Sequence, residues 1–228
     1  FELYSPFNYT TSGNPIRYAP IGETFIHFPY RLPEYDWRQS PAVITEAYMM
    51  KLFPDVTDGR YARWFDSPMD QNSSTFQMKK FAGNTIIDSS DPFNIRNPES
   101  SYLLMRYSDI ILLRAEALAE LERVSEAADA LNEVRKLRLL TEWPGATGDT
   151  QTDIKKDIFW ERAKELIGEG THYFDLVRTK RVLNREFTDN PLTPDKFNRG
   201  AWTWPINPDA LANNQRMVLN TYWIGTGF

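Results

Sequence analysis

The densest set of ionisable side chains in this 228-residue chain lies in the segment ERAKELIGEGTHYFDLVRTKR, residues 161–181. Glu161, Glu165 and Glu169 recur every four residues there, and His172, one of only two histidines in the chain, follows them. Paired carboxylates could serve glycoside hydrolysis, in which one acid has a raised pKa and the other is ionised. Glutamates spaced four apart are also typical of a salt-bridged helix face, and the neighbouring arginines and lysines favour ionised carboxylates. We therefore interpret the segment as a structural charge network.

The composition excludes several other kinds of chemistry. The chain contains no cysteine, so disulfides, thiolate catalysis and cysteine–zinc sites are ruled out, and two histidines make a histidine-rich metal site improbable. A net charge of −5 without a basic stripe argues against nucleic acid and against attachment to an anionic membrane surface. The longest apolar run is far shorter than a membrane span. No cofactor and no metal are predicted.

The chain has two textures, which define where its structural elements should lie. Residues 1–100 are rich in proline, glycine, asparagine and tyrosine, a composition that predicts loops joining short strands. One helix is expected there: Ser40 is a good N-cap, Pro41 a good first residue, and Pro54 follows the end at Phe53. The apolar stripe predicted for that helix consists of Val43, Ala47, Met50 and Leu52.

Residues 101–185 have helical periodicity instead. Two helices are predicted, the second capped by Ser125, with small residues at Ala115 and Ala127 that would let them approach closely. This pattern predicts one tetratricopeptide-like helical hairpin, which cannot bury its own face alone. The first helix has its predicted stripe at Leu103, Leu104, Tyr107, Ile110, Ile111, Arg114, Ala115, Leu118 and Leu121. The second has its stripe at Ala127, Ala128, Leu131, Val134 and Leu137.

Two further helices complete the helical part. One should run from Thr152 or Asp153 to about Gly168 or Gly170, and a short one from Thr171 to Arg181. Residues 186–228 are irregular and contain the segment WPINPDALANNQRMVLNTYW. The fold class is therefore mainly α, with irregular loops and a few short strands.

Several ordered motifs resemble the C-terminal half of the SusD/RagB family. They are MRYSDIILLRAEALAEL from Met105, ALNEVRKLR from Ala130 and DIFWERAKELIGEGTHYFDLVRTKR from Asp157. The terminal segment matches at Trp204, Pro205, Ile206, Asn214, Asn220 and Trp223, and the Asp58-x-Arg60 turn matches upstream. The chain departs from the family at His172, where arginine is usual, and at Leu219, Thr221 and Tyr222. In this family the residue 161–178 segment is a fold signature, so we expect Glu161, Glu169, Asp175 and Arg178 to pair with one another or with Arg106 and Arg135.

The resemblance implies a function for the full-length protein. It would be a lipoprotein of the outer membrane, exposed at the cell surface, that binds oligosaccharides without catalysis and delivers them to a TonB-dependent SusC-like transporter. Residues 1–228 would form the C-terminal domain, and the absent N-terminal half would supply the lipid anchor. The main alternative is a protein-interaction module that docks to the transporter without a glycan site of its own. A glycosidase is the third possibility.

Aromatic rings on proline-rich loops are the predicted glycan-binding residues. Sugars offer flat C–H faces to rings and hydroxyl groups to planar polar side chains. The segment HFPYRLPEYDWRQS and the later Trp64 meet this description, and the alternative for each ring is a place in the core. The predicted site residues are Trp37, Tyr35, Tyr30, Arg38, Asp36 and Trp64. Trp202, Trp204 and Trp223 are expected to be structural, and Trp160 to lie in the core.

Overall fold

Helices make up most of the chain that the structure describes. The structure is a computed structural model and describes residues 2–3, 46–54, 57–66, 77–78, 80, 102–145, 150–214 and 216–226. The chain divides into two compact units, residues 1–169 and residues 170–228. The helices of the first unit are α1 Glu46–Leu52, α2 Gly59–Trp64, α3 Tyr107–Glu120, α4 Val124–Leu137 and α5 Thr150–Glu165.

Among the described residues of the first unit, four two-residue strands form two small antiparallel pairs. The pairs join β1 to β4 and β2 to β3, with Glu2 opposite Leu103 and Phe65 opposite Met78. The first pair links residues about a hundred positions apart in sequence, whereas the second links residues about a dozen positions apart. The strands are β1 Glu2–Leu3, β2 Phe65–Asp66, β3 Gln77–Met78 and β4 Tyr102–Leu103.

The α3–α4 hairpin packs through small side chains. Ala115 and Ala119 of α3 and Ala127 and Ala130 of α4 are all buried in one apolar cluster. Alanines at such positions let two helix backbones approach more closely than leucines would. A tight turn joins the helices, and Glu122 adopts a left-handed conformation with φ 61°. α5 then covers the hairpin with Ile154 and Ile158.

The other face of α5 belongs to a second apolar cluster. Ala163 of α5 and Ile167, just beyond it, pack with Met49, Leu52, Phe53 and Phe65. Phe53 and Phe65 meet edge to face, with ring centroids 6.0 Å apart. Because α5 contributes to both clusters, it is the central element of the first unit.

The second unit consists of short elements held by local polar contacts. The indole of Trp223 donates to the carbonyl of Thr203 at 3.0 Å, and the Asn220 amide donates to the carbonyl of Gly200 at 3.0 Å. Gly200 has φ 88°, and a Cβ there would lie 2.8 Å from the Asn220 side chain, so glycine is required. The elements are α6 His172–Arg178, a 3-10 helix Arg181–Leu183, α7 Pro194–Asn198 and α8 Pro208–Asn213.

Several predicted helix boundaries are wrong. α4 begins at Val124, so Ser125 lies inside it and is not its cap. α5 begins at Thr150 and ends at Glu165, before the two left-handed glycines Gly168 and Gly170. α6 ends at Arg178 rather than Arg181, because Lys180 adopts a left-handed conformation with φ 58°. Ser40 and Pro41 lie outside the described residues.

The predicted apolar stripes were only partly correct. In α1 Met49 is buried and Met50 is exposed, and in α3 the buried face includes Leu112 and Ala119 rather than Tyr107 and Ile110. α3 is apolar on nearly all sides, so helical periodicity could not identify the face that packs inward. Leu137 of α4 is exposed, contrary to prediction, while Ala127, Leu131 and Val134 are buried as predicted.

The prediction of a mainly helical chain with a few short strands is confirmed for the described residues. No described helix is both long and apolar enough to cross a membrane. The boundary between the two compact units, after Glu169, falls inside the predicted helical part 101–185.

Two leucines of α4 test whether the hairpin core stabilises the first unit. Leu131 has no exposed surface, whereas Leu137 is 63% exposed. We expect Leu131→Ala to lower the free energy of unfolding by about 2–5 kcal/mol, because it removes buried methyl groups and leaves a cavity. Leu137→Ala should change it by less than about 0.5 kcal/mol. Urea unfolding followed by circular dichroism measures both, and equal losses would contradict this packing.

Candidate functional site

A buried arginine at the start of α2 is the first component of the site. Asp58 caps α2: its Oδ1 accepts from the backbone N–H of Arg60 at 3.0 Å. The same carboxylate also accepts from Arg60 Nε at 3.0 Å and from Arg60 Nη2 at 2.8 Å. The cap therefore fixes both the helix end and the direction of the guanidinium group. Both side chains are buried, so each charge needs the other.

Two buried glutamates of α5 contact the remaining nitrogen, Nη1, of the Arg60 guanidinium group. Arg60 Nη1 lies 2.7 Å from Glu161 Oε1, an ion contact, and donates to Glu165 Oε2 at 3.0 Å. Glu161 also accepts from Arg135 of α4 at 3.1 Å. Glu165 accepts two hydrogen bonds from Arg138, one of them 3.0 Å long. Arginines from α2 and α4 thus converge on two successive turns of α5.

The third glutamate extends this network toward the start of α3. Glu169 accepts from Arg106 Nε at 2.9 Å and from Lys80 Nζ at 2.5 Å. Arg106 also donates to Glu165 Oε1 at 2.6 Å, and Lys80 donates to the carbonyls of Glu165 and Ile167 at 2.8 and 2.9 Å. These carbonyls lie at the C-terminal end of α5, where cations are favourable.

The surroundings keep Glu165 ionised. Burial alone would raise the pKa of its carboxyl, but hydrogen bonds from Arg138 and Arg106 outweigh burial and lower the pKa to about 2. Asp58 shows the same balance, because Arg60 lowers its pKa against the opposing effect of burial. Burial lowers the pKa of Lys80 to about 8, although Glu169 opposes this. An acid with a pKa near 2 cannot donate a proton at neutral pH.

Two adjacent surface cavities open beside the charge network. The larger, of about 390 Å³, is lined by Arg60, Arg63, Trp64, Arg138 and surrounding Thr57, Gly59, Leu137 and Leu139. The smaller, of about 190 Å³, is lined in part by Asp58, Arg135 and Lys164, and it shares Thr57 and Leu139 with the larger one. We call them the Trp64 cavity and the Lys164 cavity. The Trp64 cavity falls within the volume range of small-ligand pockets.

Comparison with known proteins identifies the family to which this fold belongs. The sequence model of the SusD family, SusD_RagB, matches residues 60–223, which include the whole buried charge network except Asp58. The chain belongs to the SusD family. Seventy-two per cent of it aligns to SusD-like protein P38 of Formosa agariphila, with 31% identity over 172 residues, and this covers 31% of that protein.

Solved structures of SusD proteins share the fold. A SusD homolog from Bacteroides thetaiotaomicron superposes with a TM-score of 0.66 and 39% identity, over 78% of this chain and 38% of that chain. A SusD superfamily protein from the same organism superposes with a TM-score of 0.63 and 24% identity, over 89% of this chain and 42% of that chain. The predicted SusD-like helical fold is thereby confirmed. The chain spans about a third of the curated relative and about two fifths of these structures.

The SusD signature segment behaves as predicted for a charge network. Glu169 pairs with Arg106 and Glu161 pairs with Arg135. Within the second unit, Asp175 of α6 pairs with Arg178 at 2.7 Å. His172 is the first residue of α6, and burial lowers its pKa, with a smaller opposing effect from Asp175.

Only one predicted glycan-binding residue falls within the described part of the SusD fold. Trp64 lines the Trp64 cavity, but cations already contact its ring: Lys80 Nζ lies 4.3 Å from the ring centroid and Arg138 Cζ lies 5.5 Å from it. The ring also packs on the second apolar cluster. Less of its surface therefore remains for stacking on a sugar. Trp37, Tyr35, Tyr30, Arg38 and Asp36 lie outside the described residues and remain predictions.

The remaining tryptophans differ in their exposure. Trp160 is half-buried against the second apolar cluster, and Trp223 is held by Thr203, in agreement with structural roles. Trp202 contacts the Phe197 ring at 6.3 Å. Trp204 contradicts the structural interpretation, because 84% of its surface is exposed. Its neighbour Pro205 restricts the backbone to extended conformations, but that constraint does not bury the ring.

The cations of the site were largely missed from the sequence. Arg60, Lys80 and Arg138 contact Glu165 from 105, 85 and 27 residues away, respectively. The Asp58-x-Arg60 spacing was visible, but it did not indicate a partner in α5. Among the described residues, no group of three or more histidines, aspartates and glutamates could hold a metal ion.

Glu165 offers a direct test of the network. Its pKa of about 2 is below the ordinary 4.5, so its contribution to stability is present above about pH 4.5 and is lost as the pH falls toward 2. We expect Glu165→Gln to lower the free energy of unfolding at pH 7 by about 3–5 kcal/mol, because it leaves buried arginines without their anion. The difference from wild type should shrink as the pH falls from 4.5 to 2.

A matched control is Glu133→Gln, which changes an exposed glutamate of α4. It should shift the free energy of unfolding by less than about 0.5 kcal/mol. Urea unfolding at several pH values measures both variants. A Glu165→Gln protein as stable as wild type at pH 7 would show that the network does not hold the unit together.

Proposed function

We propose that this SusD-family chain belongs to a non-catalytic, surface-exposed protein that captures oligosaccharides or polysaccharides. The supporting observation is a cavity of about 390 Å³, bordered by Trp64 and by arginines, within the part of the chain that matches the family. Aromatic rings beside planar polar groups suit sugars, which combine apolar C–H faces with hydroxyl groups.

The predicted loop residues complete this proposal. Trp37, Tyr35 and Tyr30 would supply stacking surfaces, and Arg38 and Asp36 would bind hydroxyl groups. The alignment covers only 31% of the curated relative, so other parts of a protein of that length would contribute to the site.

The same proposal includes delivery of the captured glycan to a transporter. The captured sugar would pass to a TonB-dependent SusC-like transporter, and the protein would be held at the outer membrane by a lipid upstream of this chain. Domain assignment follows: residues 1–228 would be the C-terminal part of the lipoprotein. These partners are expected from the SusD family as a whole.

A protein-interaction role is the second candidate function. The outer face of α3 exposes Tyr107, of which 71% is accessible, together with Ile110, Leu113 and Leu121. These residues form one helical stripe of the tetratricopeptide-like hairpin. An exposed apolar stripe favours contact with another protein surface. The two functions are compatible, since docking and capture would use different faces.

A glycosidase activity has no support at the signature glutamates. Glu161 and Glu165 are buried and engaged by arginines, and Glu165 has a pKa of about 2. Glycoside hydrolysis requires one carboxylic acid that is protonated near neutral pH.

Glycan capture predicts saturable binding that depends on ring residues. Titration with a panel of soluble polysaccharides should change the intrinsic tryptophan fluorescence of the 228-residue chain. Trp37→Ala should weaken the binding roughly tenfold, because a ring on a sugar face is worth about 1 kcal/mol or more. Trp64→Ala should weaken it less, because Lys80 and Arg138 already contact that ring. Isothermal titration calorimetry provides the dissociation constants without relying on the mutated fluorophore.

Trp143→Ala is the matched control for Trp64→Ala. Trp143 is half-buried in the same unit, lines neither cavity and donates from its indole to Asp157 at 2.6 Å. Its loss should leave glycan affinity unchanged while lowering stability. Absence of binding by the wild-type chain to every polysaccharide tested would contradict glycan capture by this part of the protein.

The non-catalytic role predicts no turnover of a bound sugar. Incubation of the chain with any polysaccharide that it binds should release no reducing ends above the background of buffer alone. Release that disappeared in a folded Glu161→Gln variant would instead assign hydrolysis to the signature segment.

A further inference from the structure

The walls of the Trp64 cavity are positively charged. Three of the residues that line the cavity are arginines, and no lining residue is acidic. Each nitrogen of the Arg60 guanidinium group contacts Asp58, Glu161 or Glu165, and Arg138 donates hydrogen bonds to Glu165. Arg63 is different: it lies on the exposed surface of α2, and no described residue provides an anion or an acceptor for it. It is therefore available to a ligand.

The adjoining Lys164 cavity contains a second available cation. Lys164 is half-buried on α5, and within the described ranges no hydrogen bond or ion pair involves its amine. Burial lowers the pKa of Lys164, attraction from Glu161 and Asp58 opposes this, and repulsion from Arg60 and Arg135 adds to it. Burial is the largest of these effects, and a bound anion would offset its cost. The two cavities meet at Thr57 and Leu139.

The local charge is opposite to that of the whole chain. The chain has a net charge of −5. The network beside the cavities nevertheless contains five cationic side chains, Arg60, Lys80, Arg106, Arg135 and Arg138, against four carboxylates, Asp58, Glu161, Glu165 and Glu169. Arg63 and Lys164 increase this excess toward the cavities. Such a local potential attracts anions and disfavours cations.

The ring chemistry also favours recognition by charge. Lys80 and Arg138 already contact the Trp64 ring, so a sugar gains less from stacking there. Guanidinium groups bind carboxylates and sulfates through two parallel hydrogen bonds, which neutral hydroxyl groups cannot match in strength. Leu137 and Leu139 add exposed apolar surface at the cavity wall, which suits the C–H faces of a sugar better than it suits a small inorganic anion.

We propose that the Trp64 and Lys164 cavities form a binding site for acidic glycans, in which Arg63 and Lys164 bind carboxylate or sulfate groups of the sugar. A ligand that occupies both cavities crosses Thr57 and Leu139 and places an anionic group at each end. This inference rests on the proposed glycan capture and adds the charge class of the glycan and two residues that select it.

The test compares acidic oligosaccharides with neutral forms of the same backbone. The ligands are oligogalacturonates and their carboxyl-reduced forms, and carrageenan oligosaccharides and their desulfated forms. The first pair tests carboxylate and the second tests sulfate. Calorimetric titration uses the 228-residue chain and the variants Arg63→Gln, Lys164→Gln and Arg114→Gln. Arg114 is an exposed arginine of α3 that lines neither cavity, so its variant removes one positive charge without touching the site.

We expect at least one acidic oligosaccharide to bind roughly tenfold or more tightly than its neutral form, in wild type and in Arg114→Gln. Arg63→Gln and Lys164→Gln should each remove most of that preference, and salt should weaken acidic ligands more than neutral ones. Thermal unfolding verifies that the variants fold. Should Lys164→Gln not fold, the exposed Arg63→Gln decides the question.

The other outcomes overturn the proposal in distinguishable ways. Equal or tighter binding of the neutral forms, or a preference that both site variants retain, would reject the acidic site and leave glycan capture intact. If Arg114→Gln loses the preference for acidic ligands as fully as the two site variants, the preference comes from the net charge of the chain, and the proposed site is rejected. If no glycan binds, including the neutral panel, then glycan capture by this chain fails together with the acidic site.

Discussion

The burial of the Glu165 carboxylate is the constraint on which the first unit depends. A carboxylate without solvent contact requires cations. Glu165 is paired with Arg60, Arg106 and Arg138, which lie 105, 59 and 27 residues away in sequence. The chain can satisfy this charge only when α2, the start of α3 and the end of α4 all meet α5. Buried ion pairs add little net stability, but an arrangement that leaves one charge unpaired is strongly disfavoured. The network therefore selects one packing among those that the apolar residues alone would allow.

The same constraint shapes the surface beside it. Arg138 reaches from Glu165 to the wall of the Trp64 cavity, and Asp58 links the cap of α2 to the network and to the Lys164 cavity. Arg60 and Arg138 are held by buried carboxylates and would lose little further freedom when a ligand arrives, so this part of the cavity wall is already organised for binding. Arg63 has no such partner among the described residues and would be ordered by the ligand itself.

The sequence predicted what depends on local pattern and on family motifs, and it failed where distant residues decide. The helical hairpin, its small residues and the pairing of Glu161 with Arg135 followed from spacing and from the signature segment. The buried face of α3 did not, because a helix that is apolar on nearly all sides is oriented by its neighbours. The Asp58-x-Arg60 motif did not indicate the partners of Arg60, and Lys80 gave no local signal, since the α5 glutamates lie more than eighty residues away from both. Trp64 was predicted as a glycan-binding residue and lines a cavity, yet the cations on its ring could not be foreseen.

Helix geometry separates the residues that specify the fold from those that would specify the ligand. Arg63 lies three positions after Arg60 on α2, and Lys164 lies three positions after Glu161 on α5. Residues three apart occupy neighbouring positions on a helix surface, so each available cation stands beside a buried member of the network and one step closer to solvent. A change at Arg63 would leave the buried ion pairs in place, because Arg63 makes no hydrogen bond or ion pair with a described member of the network. Lys164 is half-buried and interacts electrostatically with Glu161, so a change there would act on the network more directly. A SusD-like scaffold built in this way could change the charge of its ligand while retaining the same buried signature.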